Sequence, residues 1–329
     1  MIGVFDSGIG GLTILRALRE RLPTERFCYL GDNAYAPYGA RPADEIYALT
    51  RRGIDRLFRE GCGLVVLACN TAAAVALRRL QQEWLPAAWP DRNVLGVFAP
   101  VVESLSGQSW SAPGPTRYST PRKARTVALF ATRTTIQSDA FGRELRSRTR
   151  DLSLLNQACP RLAQAIEESW ADEDIDRGVA RYVGALMAKA GGAPVDLAVL
   201  GCTHYPLVQD VFARHLPPGV TILDQPRLCA EGLADYLTRK PQFARSEDEP
   251  AGALSFLTSG DPDAIAANAA RFYGEACAFG HISAPPTAPP PAPIPPQAEA
   301  EAPPPHSSPT APPAAAPGEG SSSASSDDG

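Results

Sequence analysis

One stretch, Val195-Asp-Leu-Ala-Val-Leu-Gly-Cys-Thr-His-Tyr-Pro-Leu207, restricts the fold of this chain more than any other. Val195 to Leu200 is a short, branched, apolar run, as expected of a strand buried on both faces of a parallel sheet. Gly201 ends the run and exposes Cys202. Thr203 is placed to cap a helix opening at Pro206, because proline is tolerated in a first helical turn. The reading is strand, turn, helix, with a thiol at the carboxyl edge of the sheet and an imidazole, His204, two residues on. In open α/β sheets that edge is where ligands bind, and a helix N-terminus lowers a cysteine pKa by favouring thiolate.

Gly63-Leu-Val-Val-Leu-Ala-Cys-Asn-Thr71 repeats the pattern earlier in the chain. An apolar strand again ends in a small residue and a cysteine, Cys69, followed by small polar residues and an alanine-rich helix. Repeated half-units of an α/β fold tend to be related by pseudo-symmetry, so the two thiols are expected to face each other across one crevice. A chemistry that needs one base on each side of a substrate accounts for such a pair.

At 329 residues, 44% of them apolar, the chain is long enough for about two domains with their own cores. From about Pro285 it turns into Pro, Ala, Ser and acidic residues, cannot offset its ordering entropy, and is expected to be disordered. A net charge of −5 and a pI near 5.5 argue against a nucleic-acid surface. Arg117, Arg122, Lys123 and Arg125 lie among Ser, Pro and Gly and read as a solvated loop. Seven cysteines without framework spacing fit a reduced intracellular protein better than a disulfide scaffold. Met1 leads straight into Ile2-Gly-Val-Phe-Asp6, with no room for a signal peptide, and no apolar run approaches the ~20 residues that span a bilayer. The expected location is the cytoplasm.

Taken in order, Ile2 to Phe5 is a strand ending at Asp6-Ser-Gly-Ile-Gly-Gly11, and Leu12 to Leu22 has helical spacing. The glycine turn carries neither a dinucleotide fingerprint nor a Walker lysine, so its backbone N–H groups suit a small anion such as a carboxylate. Asp6, at the strand end, can orient or deprotonate a neighbour; it can equally be a helix N-cap. Phe27 to Leu30 is the next strand, followed by a long loop, Gly31 to Pro42, in which Tyr38 and Gly39 offer a phenol and open backbone, or merely a turn with an aromatic lid. Helix then covers Ala43 to Arg59, and another follows the Cys69 strand to about Trp84. Val94 to Phe98 reads as a strand, and Glu103 to Arg125 as an exposed interval without periodicity.

Strand is expected again at Thr126 to Ala131, helix from Ile136 to Arg148, and strand from Leu152 to Asn156. A helix carrying Glu167 and Glu168 follows Ala158-Cys-Pro160, and another runs from Ile175 to Lys189. After the Cys202 unit come strand Thr221 to Leu223, a helix through Tyr236, strand Leu254 to Leu257 and a helix to about Cys277. This alternation predicts a doubly wound α/β architecture with mostly parallel sheets. We divide the chain into residues 1–98 with 207–281, residues 99–206, and a tail at 282–329.

Together the motifs resemble glutamate racemases, the cofactor-independent enzymes that supply D-glutamate for peptidoglycan. The resemblance covers nearly all of residues 1–280 and implies two pseudo-symmetric α/β domains with the active site in the cleft between them. It rests on Asp6-Ser-Gly-Ile-Gly-Gly-Leu12, Tyr29-Leu-Gly-Asp32, Pro37-Tyr-Gly39, Ala68-Cys-Asn-Thr-Ala72, Ala158-Cys-Pro160 with Glu167, and Leu200-Gly-Cys-Thr-His-Tyr-Pro-Leu207, all in family order. Aspartate racemases typically carry Cys-Thr-Glu where this chain has Cys202-Thr203-His204, and a different glycine turn at the start. Departures are the long interval at 107–123, Asp224-Gln-Pro226 in place of the familiar Asp-Ser or Asp-Pro followed by alanine, and the tail.

The resemblance implies that Cys69 acts on D-glutamate with Asp6 beside it, and Cys202 on L-glutamate with His204 and Glu167 beside it. Ser7, Tyr38, Gly39, Asn70, Thr71, Thr203 and His204 are implied to hold the substrate. It implies no metal and no cofactor, and a homodimer with no membrane partner. Some racemases of this kind also bind and inhibit DNA gyrase, and the proline-rich tail is suited to recruit a partner through extended structure. Two other chemistries use similar residues. A zinc site lacks compact four-ligand spacing, and Cys-His hydrolysis leaves the second cysteine strand unexplained. Cys28, Cys62, Cys159, Cys229 and Cys277 read as buried apolar fillers, and His215, His281 and His306 have no catalytic context.

Overall fold

The computed structural model describes residues 1–107 and 125–282. Arg117, Arg122, Lys123, the 107–123 interval beyond Gly107, His306 and the tail after residue 282 lie outside the described residues.

β1 (Ile2–Asp6) is buried at every position and leads into α1 (Leu12–Arg21), β2 (Phe27–Gly31) and α2 (Ala43–Arg59). Strands without an exposed face require helices on both sides of the sheet. α2 shows how a helix meets that demand. Ile46, Leu49, Ile54, Leu57 and Phe58 recur at helical spacing on its buried face, Asp44 and Glu45 sit in the first turn, and Arg56 and Arg59 in the last, complementing the helix dipole. Gly53 lies in the same face because a Cβ there would stand 2.1 Å from the Phe5 ring.

β3 (Leu64–Leu67), α3 (Asn70–Arg79), α4 (Leu85–Ala88), β4 (Asn93–Gly96) and α5 (Phe98–Ser106) follow. A π-helical turn at Leu80–Trp84 joins α3 to α4. The strand expected to reach Phe98 therefore stops at Gly96. Phe98 to Ser106 is instead a helix with Pro100 in its first turn, where a missing N–H costs nothing, and Gly107 at φ 68° closing it.

β5 (Arg125–Ala131), α6 (Arg133–Ser138), α7 (Ala140–Arg148), β6 (Leu152–Ala158), α8 (Leu162–Glu167), α9 (Asp172–Ala190) and β7 (Leu197–Gly201) come next. The helix expected from Ile136 to Arg148 is two helices, broken where Asp139 takes a left-handed φ of 50°. A 3-10 turn at Tyr205–Val208 introduces α10 (Gln209–His215), then β8 (Thr221–Leu223), α11 (Gln225–Arg239), β9 (Leu254–Thr258), α12 (Pro262–Tyr273) and β10 (Phe279–His281). β10 was not foreseen; only a few residues long and carrying Gly280 and His281, it lacks an apolar run of its own.

Two parallel sheets result. One has six strands in the order β10-β9-β2-β1-β3-β4, the other four in the order β6-β5-β7-β8, and every pairing is parallel. β8 pairs with β7 through Leu197↔Thr221, so residues 207–223, assigned from sequence to the first domain, carry a strand of the second sheet. The return to the first sheet runs through α11, which packs on α1 and α5. β1, β3, β5 and β7 all end on loops whose residues meet one another.

Candidate functional site

Asp6 and Ser7 leave the end of β1, Cys69 follows β3, and Cys202 follows β7 directly. Both cysteines are nearly fully buried. Cys69 is the N-cap of α3: its sulfur accepts from Ala72 N at 3.4 Å, and Ser7 Oγ lies 3.4 Å away. A thiol at a helix start is expected to ionise easily, but here burial outweighs the helix. Burial first, then the charge of Asp6, push the Cys69 pKa up to about 12, against the opposing hydrogen bonds from Ser7 and Ala72. These raising causes favour the protonated sulfur, a thiol able to donate a proton.

Cys202 stands in a different setting. His204 Nδ1 lies 3.9 Å from its sulfur, and His204 Nε2 is 2.7 Å from Glu167 Oε2, at the end of α8. Burial alone would lower the His204 pKa; the neighbouring sulfur of Cys202 and carboxylate of Glu167 outweigh it and push it up to about 10. The ring is wedged edge-on against Phe272 at 5.3 Å between centroids, and Arg271 donates to Ile166 O and Ser169 Oγ beside Glu167. α12 thus braces the imidazole and the end of α8 that carries its carboxylate.

The glycine turn after β1 fits against this second cysteine unit. A Cβ on Gly10 would stand 2.4 Å from Thr203 Oγ1 and 2.5 Å from His204 Nδ1, so glycine is required for the approach. Thr13 Oγ1 donates to Thr203 O at 3.0 Å. Thr203 does not cap the following turn as the sequence suggested; its hydroxyl donates to Asp6 Oδ2 at 3.3 Å. Asp6 Oδ1 accepts from Gly8 N at 2.8 Å, so Asp6 organises its own turn as well as facing the second sheet. Burial, first, raises its pKa, with His204 and the Gly8 and Gly11 amides opposing.

The remaining expected residues divide. Thr71 Oγ1 lies 3.0 Å from Thr132 Oγ1 and 3.2 Å from Thr135 Oγ1, which are 2.9 Å from each other, giving a triangle of hydroxyls shared by α3 and the start of α6. Gly39 borders it: its carbonyl accepts from Thr134 Oγ1 at 2.8 Å, and a Cβ would stand 3.1 Å from Thr132 Cβ. Tyr38 is not positioned to offer a free donor. Its hydroxyl donates to Asp32 Oδ2 at 2.7 Å, and Asp32 also receives Arg52 and Ser259. Asn70 pairs with Gln225, and sequence reasoning singled out neither Gln225 nor Thr132 and Thr135 as site residues. Cys28, Cys62, Cys159, Cys229 and Cys277 are all buried and unpaired by disulfides.

Residues 13–231 match the Asp/Glu/Hydantoin racemase family. The chain belongs to that family. It is 46% identical over 274 residues to the glutamate racemase of Cereibacter sphaeroides, covering 82% of this chain and 96% of the relative. Its fold matches the glutamate racemase isoform RacE1 of Bacillus anthracis with a TM-score of 0.73 at 28% identity, over 86% of this chain and 97% of that one. The glutamate racemase of Thermus thermophilus, solved in complex with beta-chloro-D-alanine, matches with a TM-score of 0.68 at 34% identity over 86% and 96%. The enzyme is accordingly an isomerase of the amino-acid racemase type. Among the described residues no helix is long and apolar enough to cross a membrane, and no cluster of three or more His, Cys, Asp or Glu side chains is placed to hold a metal ion.

Proposed function

We propose that this enzyme interconverts L- and D-glutamate without a cofactor, by proton transfer at Cα between two cysteines, and that it supplies D-glutamate for peptidoglycan. The observation that carries the reading is that Cys69 and Cys202 follow strands of different sheets, each beside its own acid–base partners. Inverting a stereocentre requires a base on one face and an acid on the other, and two thiols in unlike settings meet that need. A positioned acid or base contributes ~10²–10⁴ in rate, so both are needed for turnover.

In this reading Cys202, as thiolate, takes the Cα proton of L-glutamate while the Cys69 thiol donates to the opposite face. His204 and Glu167 serve Cys202, and Asp6 serves Cys69. The reverse transfer converts D-glutamate, and the two sulfurs exchange protonation states on each turnover. A thiol with its pKa near 12 is suited to hold the proton until the carbanion forms. Ser7, Asn70, Thr71, Thr203, His204 and the backbone at Gly39 supply donors for the substrate's carboxylates, and the hydroxyl triangle of Thr71, Thr132 and Thr135 adds a neutral donor set. Tyr38 acts through Asp32 in shaping the loop. The expected homodimer and cytoplasmic location belong to the same proposal.

The test is direct. Purified enzyme with L-glutamate, a chelator and no added cofactor should lose optical activity until both enantiomers are equal by chiral chromatography. Unchanged L-glutamate after prolonged incubation, with the protein folded by circular dichroism, would remove the proposal.

A further inference from the structure

Gln225 opens α11, and its side chain is almost completely buried, at 2% exposure. Asp224 caps the helix start by accepting from Arg227 N at 3.0 Å, which fixes where Gln225 emerges. From there it reaches Asn70, the residue after Cys69 and the first of α3, itself 2% exposed. The two amides meet reciprocally. Asn70 Nδ2 donates to Gln225 Oε1 at 3.0 Å, and Gln225 Nε2 donates to Asn70 Oδ1 at 3.0 Å.

The orientation of this pair follows from a third group. Val97 O, on the segment between β4 and α5, lies 3.5 Å from Gln225 Nε2. A backbone carbonyl only accepts, so the Gln225 atom facing it must be the nitrogen. Gln225 Oε1 is thereby turned towards Asn70, which must answer with Nδ2. One N–H of Asn70 is committed to Gln225, and Nδ2 has a second. A flipped Asn70 would set oxygen against oxygen and nitrogen against nitrogen in a buried pair, leaving groups unsatisfied at a cost of ~1–3 kcal/mol each.

We propose that Gln225 is a positioning residue that locks the Asn70 amide in one orientation, so that Asn70 presents a donor, and not a carbonyl, to a carboxylate of the substrate. This rests on the glutamate racemase reading given above. Selectivity for an acceptor beside Cys69 then depends on a side chain 155 positions away, anchored on a carbonyl of the chain segment that leaves the first sheet.

The experiment is a mutant cycle on the full-length enzyme with steady-state kinetics on both glutamate enantiomers. Gln225→Met keeps length and removes both amide functions; Gln225→Ser leaves room for water and serves as a second variant in case the first does not fold. Each should raise KM ~10-fold or more, as expected for losing an oriented hydrogen bond to a charged group, while kcat changes less. Introduced into Asn70→Ala, the same changes should have almost no further effect on KM. A merely structural role would lower thermal stability and active fraction alike in both backgrounds without separating KM from kcat. Unchanged KM in the Gln225 variants of an enzyme that racemises glutamate, or equal effects with and without the Asn70 side chain, overturns the positioning role alone. A wild-type enzyme inactive on glutamate overturns the functional reading and this proposal together.

Discussion

Glu167 Oε2 lies 2.7 Å from His204 Nε2, joining the end of α8 to the turn after β7 across 37 residues of sequence. The contact is a charge-assisted hydrogen bond when the imidazole is protonated, and it leaves Nδ1 directed at the Cys202 sulfur. Because Nε2 is held, the side of the ring that faces the cysteine is fixed. A proton on His204 is therefore always offered in the same direction.

The His204 imidazole should titrate far above its ordinary 6.5, near 10, and the midpoint should fall in Glu167→Gln, which removes one of the groups that raise it. Histidine-labelled protein resolves this by NMR, since the chain has only four histidines. The folded-state pKa is raised, so the contribution to stability is complete below the unfolded value near 6.5 and is lost as pH rises through about 10. The difference in urea midpoint between wild type and Glu167→Gln should shrink over that window. A His204 midpoint near 6.5 in the wild type would contradict the electrostatics described.

Gly10→Ala should be far more damaging to turnover than to folding. The new Cβ would collide with Thr203 Oγ1 and with the His204 ring, which cannot yield freely because Glu167 and Phe272 hold it. Displacing these groups by a fraction of an ångström to an ångström is expected to lower kcat/KM ~10²-fold. A thermal melt run alongside the kinetics separates this from unfolding; wild-type kinetics would show that the turn has slack.

Cys69 should resist alkylation in the ligand-free enzyme. With its pKa pushed up from 9.0 to about 12, the thiolate is scarcer than in an unperturbed cysteine by ~10³ at neutral pH, and the sulfur is buried as well. Iodoacetamide treatment followed by peptide mass spectrometry should find Cys69 unmodified while denatured protein reacts fully. Asp6→Asn should speed its modification, since the Asp6 charge is one of the raising causes. Rapid stoichiometric labelling of native Cys69 would mean that burial does not dominate there.

The two cysteine units were legible in sequence because each is a local pattern: an apolar strand, a small residue, a thiol and a helix start. Their surroundings were less so. Gln225 reaches Asn70 across 155 positions and Thr132 reaches Thr71 across 61, distances at which residue type alone says nothing about contact. Thr203 has the look of a cap, yet Asp6 claims its hydroxyl from the other sheet. Phe98 read as the end of a strand because an apolar run does not separate strand from buried helix; Phe98, Val101, Val102 and Leu105 are buried at helical spacing. Cys69 shares the helix start that favours thiolate at such positions, but depth of burial, which sequence does not give, is the larger influence and raises its pKa.

The roles of the two thiols are separated by isotope. Cys69 and Cys202 follow strands of different sheets, Cys69 beside Ser7 and Asp6, Cys202 beside His204 and Glu167, so each is expected to exchange its proton within its own set. In deuterated water, L-glutamate should then give D-glutamate that carries deuterium at Cα from the first turnovers, because the donor on the far face has equilibrated with solvent. The L-glutamate still present at early times should keep its hydrogen, because the proton taken by one sulfur is not the proton delivered by the other. Cys69→Ser and Cys202→Ser should each abolish full racemisation, since a serine hydroxyl ionises far less readily than a thiol and a general acid or base is worth ~10²–10⁴ in rate. Mass spectrometry of the separated enantiomers reads both points. Early D-product that retains the original hydrogen would indicate a single base carrying one proton between faces, and near-wild-type turnover in either serine variant would assign that thiol no part in the transfer.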